Sequence, residues 1–454
     1  MTYLVRTNGT ATSTTTFTIS TWVKRSQLAG DQYVFSIANN NGVAPTEHIH
    51  LRFASDKLQS QFYISDSQVG QIETTAVYKD PAAWYHILFR FDSTQSTAND
   101  RMRLYINGTE TSLGTQTMPS QSASCAACSG GRFGVSVTYS GTSNPFRGYM
   151  AQFIYADGQS YAPTVFGSTN ADGVWTPNSQ PSVTYGNNGF KLDFAGTGAS
   201  ADANGFGADS SGNNNHLATG GEGTNPSTTD QCINNFCTIN PLTNEFADST
   251  ISHGGTKVVF KQSSEAFNDS TMRLFNKGKW YYEVKFTSIP DAAATVGAGW
   301  GAYENQTTSQ YLGNGNLGVA VVNTGQKRVG GSYGTYGSAF SNGDIMMIAA
   351  DLDAGNFYFG KNGQWGDGSG NFDESSFSSA SAIAATNTSS YSQGFSPAVG
   401  NYSTSYQGTM ELNFGNPPFA ISSSNADANG YGNFEYTVPT NYYSLCTKNL
   451  ATYG

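Results

Sequence analysis

The chain has 454 residues, too many for one β-sandwich and enough for two, or for two with a connector. Only 12% of the residues are charged and 52 are glycine, yet 13% are aromatic and alternate with polar neighbours in short runs, which argues for packed sheets over disorder. A formal net charge of -10 without clustered Lys or Arg argues against binding of polyanions, so no nucleic acid is expected as a partner. No apolar run reaches the roughly 20 residues that cross a bilayer, and the N-terminal Met1-Thr2-Tyr3-Leu4-Val5-Arg6 lacks the n-region and h-region of a secretory signal. The expectation is a soluble protein with no membrane insertion and no export signal of its own.

Residues 1–168 read as short strands between polar turns. Phe17 and Ile19 point inward from the first clear strand. In His48 to Phe53 the two imidazoles share a face with Arg52 and leave Ile49, Leu51 and Phe53 for the core. That pattern predicts a solvated strand face, and without a third ligand it does not make a metal site. In Trp84 to Phe91 the set Tyr85, Ile87, Phe89 and Phe91 forms one apolar face, with His86 and Arg90 on the other. Met102, Leu104 and Ile106 share a face before Asn107-Gly108, a type I′ hairpin signal. The series FTISTWVKRS (17–26), WYHILFRFD (84–92), RLYINGT (103–109), GRFGVS (131–136) and GYMAQFIYADG (148–158) resembles a laminin-G or concanavalin A-like lectin jelly roll. The resemblance implies binding of sugars or proteins, often with calcium.

Residues 169–235 are rich in Gly, Asn, Ser and Thr and read as a connector with an edge strand near Gly189 to Phe194. It contains ADANGFG (201–207), and a related ADANGYG recurs at 426–432. Asp202, Asn204 and Asp209, with Asn213 and Asn214 nearby, supply the hard oxygens that calcium takes, and the same residue types also populate turns. No motif requires a cofactor.

From residue 236 to 454 a second series runs in order: GKWYYEVKF (278–286), VGAGW (296–300), LDAGNFYFGKNGQW (352–365), FSPAVG (395–400) and MELNFG (410–415). Trp280, Tyr282, Val284 and Phe286 alternate with polar neighbours as a half-buried strand, and Asn362-Gly363 marks a second type I′ hairpin. This order resembles the SPRY domain, a bent β-sandwich that binds partners through its loops. The fold class expected is all-β: two concanavalin A-like or jelly-roll β-sandwiches in tandem, laminin-G-like and then SPRY-like.

Catalytic residues are not found. The concanavalin-like fold also hosts glycoside hydrolases, which need two facing carboxylates, and laminarinase-like members take them from an E-x-D-x-E strand that no glutamate here begins. Asp351-Leu352-Asp353 comes closest, and its place at a strand end points to turn capping. Cys125, Cys128, Cys232, Cys237 and Cys446 make an odd number without a second C-x-x-C, so neither a full disulfide framework nor a four-ligand zinc site is read. For Cys125 and Cys128, a redox pair and plain small residues in a loop both stay open. The expectation is therefore a binding protein and not an enzyme. Tyr and Trp at loop tips anchor partners, and Tyr303, Tyr311, Tyr333, Tyr336, Trp365, Tyr402 and Tyr406 are the candidates.

A lectin-like jelly roll, a Gly/Asn-rich connector and a SPRY-like domain with few charges together resemble virion proteins of tailed bacteriophages. That resemblance implies a virion surface protein on a tail fibre or similar appendage, made in the host cytoplasm and exposed on the particle. Its neighbours would be other virion proteins and its own copies, and its ligand a host-surface glycan or protein. A capsid decoration or head-fibre protein is the alternative, and a glycan-cleaving enzyme the third reading.

Overall fold

Alternation along the strands decides which side chains meet. Ile87, Phe89 and Phe91 of the strand Trp84–Asp92 are buried together with Phe17, Ile19 and Val23 of its neighbour Thr16–Arg25, with Ile19 opposite Phe89. Ile49, Leu51 and Phe53 of His48–Ala54 close the same core from the other sheet. This is a computed structural model, and it describes residues 2–28, 30–39, 45–221, 227–243, 249–261, 266–291, 293, 295–302, 311–315, 318–385 and 394–454. The chain divides into two compact units, Met1–Ser227 and Thr228–Gly454.

The first unit is a sandwich of an eight-stranded and a six-stranded antiparallel sheet. The eight-stranded sheet runs Leu113–Thr117, Ser67–Thr74, Lys57–Ile64, His48–Ala54, Gln32–Ala38, Arg132–Val135, Tyr3–Thr7 and Ala218–Gly220. The six-stranded sheet runs Phe190–Leu192, Gly148–Asp157, Thr16–Arg25, Trp84–Asp92, Met102–Ile106 and Thr109–Glu110. Each sheet thus ends on a short strand from the Gly/Asn-rich segment, with Phe190 opposite Tyr155 and Thr219 opposite Leu4. The described residues 169–221 are structural parts of the first sandwich, and the second unit begins inside the stretch read as a connector.

The second unit repeats the plan with a ten-stranded and a six-stranded sheet. Trp280, Tyr282, Val284 and Phe286 point into the core, as the alternation predicts, where they meet Val296, Ala298, Trp300, Phe357 and Phe359. The segment around Phe434, Val438 and Tyr442 lies on the outer face of the larger sheet, over Tyr281, Met347, Tyr358 and Trp365. The one α-helix among the described residues, Thr447–Tyr453, follows it.

Both Asn-Gly hairpins form. Asn107 and Gly108 have φ of 49° and 79°, and Asn362 and Gly363 have 50° and 88°, the left-handed pair that a type I′ turn needs. In each turn the Asn side chain also accepts the N–H of an adjacent strand, from His86 to Asn107 and from Ile345 to Asn362, both at 2.8 Å. The five cysteines are free. Cys125 and Cys128 are buried with their sulfurs 3.0 Å apart, and burial raises the Cys125 thiol well above its ordinary pKa.

Candidate functional site

Because side chains alternate on a strand, the residues that leave the first core free line the outer face of the eight-stranded sheet. Three adjacent strands place His48 opposite Tyr63, His50 opposite Gln61 and Arg52 opposite Gln59, and then Gln59 opposite Glu73, Gln61 opposite Gln71 and Tyr63 opposite Gln68. Nearly all of these groups are flat, and they hold one another in place. Arg52 donates from Nη1 to Asp31 Oδ2 at 2.8 Å and from Nη2 to Gln59 Oε1 at 2.8 Å, and Gln59 Nε2 donates to Glu73 Oε2 at 2.8 Å. A second chain runs from the Tyr63 hydroxyl to Gln68 Oε1 at 2.9 Å and from Gln68 Nε2 to Gln71 Oε1 at 2.7 Å. Gln68 is exposed, and Gln61, Tyr63 and Gln71 are half-buried, so this row of amides and rings meets solvent already ordered.

One end of the face is roofed, which corrects the expectation of a solvated His48–His50 strand. The chain after Val135 turns back over the sheet, held by Arg132 donating to the carbonyls of Thr138 and Gly141, both at 3.0 Å, and by Ser36 Oγ donating to that of Val137 at 2.9 Å. It lays the Tyr139 ring on the His48 imidazole, with centroids 3.8 Å apart and planes 8° from parallel. Tyr63 stacks on the same imidazole at 4.5 Å. His48 and His50 are 6% and 1% exposed, and none of their four ring nitrogens has a hydrogen-bond partner among the described residues. Burial lowers His48 to about 4 and pushes His50 well below its usual value, the latter helped by nearby His48 and Arg52, so both rings are neutral near pH 7. Among the described residues no three His, Cys, Asp or Glu side chains are grouped to hold a metal ion.

The seven aromatic candidates of the second unit separate. Tyr311, Tyr333 and Tyr402 come together around Arg328 on the outer side of the six-stranded sheet. The Arg328 guanidinium carbon lies 3.5 Å from the Tyr333 ring centroid and 4.1 Å from that of Tyr311, and the Tyr402 ring is 5.5 Å from Tyr311. Gly297 and Gly400 give Tyr402 its room, since a Cβ at either would stand 3.0 or 3.3 Å from its ring. Tyr336 and Trp365 are only 1% and 4% exposed and build the interior, with Tyr336 accepting the Phe359 N–H at 3.0 Å. Tyr406 is exposed, and Tyr303 lies outside the described residues.

In the oxygen-rich loop, the exposed Asp202 accepts the N–H of Asn204 at 2.8 Å. Asp209 accepts the Lys191 and Ser211 N–H groups on Oδ1, and the Ser211 hydroxyl and Asn215 N–H on Oδ2. Asp427, in the second ADANG stretch, is the hub of a similar knot: Oδ1 takes the Asn429 and Tyr431 N–H groups, and Oδ2 takes Ser444 and Asn449. Asp351 accepts the N–H of Ala354 at 3.1 Å, as a turn cap does, while Asp353 accepts the N–H of Gly278, distant in sequence, at 3.1 Å.

Residues 2–157 match the laminin-G family described as the concanavalin A-like lectin/glucanases superfamily. The matched stretch contains all three strands of the planar face. No curated protein matches the chain. Among solved structures it is similar to the SPRY domain of human HERC1, with 14% identity over 36% of this chain and 91% of that one and a TM-score of 0.28. It is similar also to a heptameric SAP-like pentraxin from Limulus polyphemus, with 15% identity over 36% of this chain and 72% of that one and a TM-score of 0.28. A human SPRY domain matches at 16% identity over 36% of this chain and 93% of that one, with a TM-score of 0.27.

The sequence reading overlooked the planar face. The signal was there as period-2 spacing of planar residues on successive strands: His48, His50 and Arg52, then Gln59, Gln61 and Tyr63, then Gln71 and Glu73. Reading it requires the pairing register, which a single strand does not contain.

Proposed function

We infer that this protein recognises glycans without cleaving them, through the outer face of the eight-stranded sheet of its first unit. The observation that carries this reading is the ordered row of Arg52, Gln59, Gln61, Tyr63, Gln68 and Gln71 in the part of the chain that matches a lectin/glucanase family. A sugar offers apolar C–H faces and paired hydroxyls, and rings beside amides that carry both a donor and an acceptor complement these two features. Pre-ordering lowers the entropic cost of binding. Hydrolysis is disfavoured because no strand carries the E-x-D-x-E set.

The protein works on the surface of a tailed-bacteriophage particle, in a tail fibre or similar appendage. What supports this setting is the combination of a lectin-like unit, a SPRY-like unit and low charge. Repeated copies on a particle would turn weak single-site binding into firm attachment.

The test is an array of bacterial envelope polysaccharides probed with the purified chain, followed by reducing-sugar assays on every hit. Retention of glycans without sugar release supports the reading, and sugar release makes the protein an enzyme. No retained glycan, with the protein recovered in stoichiometric amounts from emptied heads, supports capsid decoration in its place.

A further inference from the structure

Among the described residues, Arg328 of the second unit is a cation without a paired anion. It sits on the strand Gln326–Val329 with Ala320 on one side and Tyr333 on the other, and 4% of it is exposed. Its Nε is buried without a hydrogen-bond partner among the described residues. Among the described residues, two tyrosine rings lie against the charge, Tyr333 at 3.5 Å and Tyr311 at 4.1 Å. By contrast, the described arginines 25, 52 and 103 have a carboxylate partner, and Arg101 and Arg132 donate to backbone carbonyls. Leaving a buried charge unpaired is costly, and ring contacts offset only part of that cost. With two rings this close to the guanidinium carbon, its fork of N–H donors is the group left to meet a carboxylate in two parallel hydrogen bonds.

We propose that the Tyr311–Arg328–Tyr333 clamp is a second ligand site, which takes the carboxylate of an acidic sugar on the N–H donors of the Arg328 guanidinium. The identity of the carrier as a sugar rests on the glycan-binding reading above; the anion preference rests on Arg328 alone. Tyr333, 45% exposed, is the outer wall of the clamp. A protein with a net charge of -10 repels acidic polymers at long range, so selectivity for them needs a local device of this kind.

Calorimetric titration of the full chain with trigalacturonate and with a hyaluronan tetrasaccharide, against galactotriose as the neutral control, tests the site. Wild type is expected to bind at least one acidic probe, and Arg328→Gln to bind it at least about tenfold more weakly, the scale of a charge-assisted hydrogen bond. Tyr333→Ala, a change at an exposed ring, is expected to weaken the same probe and decides the matter should Arg328→Gln not fold. Equal affinities in wild type and both variants, or no binding of either acidic probe, would overturn the proposal. Inorganic sulfate binding as tightly as the acidic sugars would overturn the sugar assignment. Failure of this site is distinguishable from failure of the first: lost acid selectivity in Arg328→Gln reports on the second unit, and lost neutral-glycan binding in Gln61→Ala reports on the first.

Discussion

The two sandwiches bury ionisable groups of opposite kinds on the outer faces of their sheets. In the first unit the buried groups are neutral imidazoles: His48 and His50 under Tyr139, and His86 between Trp175, whose Nε1 donates to Nδ1 at 3.1 Å, and Ser20 Oγ, 2.9 Å from Nε2. Since Nδ1 accepts, Nε2 carries the proton and donates to Ser20. In the second unit a buried carboxyl is set against them: Glu283 accepts from the Tyr281 hydroxyl, Asn413 Nδ2 and the N–H groups of Glu435 and Tyr436, and so ties the C-terminal segment to the sheet. Burial lowers His48 to about 4 and His86 to about 3, and it raises Glu283 to about 7 against the pull of its donors. Two related architectures therefore carry opposite pH responses, because a covering segment desolvates whichever side chain the sheet presents to it.

The contrast breaks most severely at Glu283. Glu283→Ala strands four donors on a buried face and is expected to cost the second unit about 3–5 kcal/mol in urea unfolding, with the first unit unaffected. Acid separates the two units next. Below pH 6.5 the unfolded histidines take up protons that the buried ones refuse, so the first unit loses stability as pH falls from 6.5 toward 4. Between pH 7 and 4.5 folded Glu283 binds a proton that the unfolded carboxyl does not, so its contribution rises as pH falls. Scanning calorimetry of the full chain is expected to show two transitions that move in opposite directions between pH 7 and 5; movement in parallel would refute the assignment. Tyr139→Ala is a smaller change, costing about 0.5–1.5 kcal/mol of stacking and returning His48 toward 6.5 in an NMR titration. Chelation is the smallest: with Asp209 already filled by N–H and O–H donors, EDTA is expected to leave both transitions where they are.

The regular parts of the fold were legible in the sequence because they depend on local rules. Alternation assigned Ile87, Phe89 and Phe91 to the core, and the chemistry of Asn-Gly placed both hairpins. Covering segments were not legible, since they come from far along the chain. Alternation put His86 opposite the core face without showing that Trp175 and Phe166 seal it, and His48, read as solvated, is sealed by Tyr139. Tyr336 and Trp365 passed for loop-tip anchors because flanking Gly and Ser mark exposed turns in sequence, whereas in the fold both rings turn inward. Tyr311, Tyr333 and Tyr402 were candidates by residue type, but Arg328, around which the fold gathers them, was not, since a lone Arg in a strand carries no local sign of the rings that will lie against it.

The most direct test of the glycan-binding account is a titration of the full chain with an envelope oligosaccharide that the array retains, comparing wild type with the double variant Gln61→Ala and Gln71→Ala. Both residues lie on the solvent side of the sheet, so the melting transitions are expected to stay within about 0.5 kcal/mol of wild type. Affinity is expected to fall at least about tenfold, as loss of two ordered amides implies. Undiminished affinity in a correctly folded double variant would contradict the account and move recognition off this face.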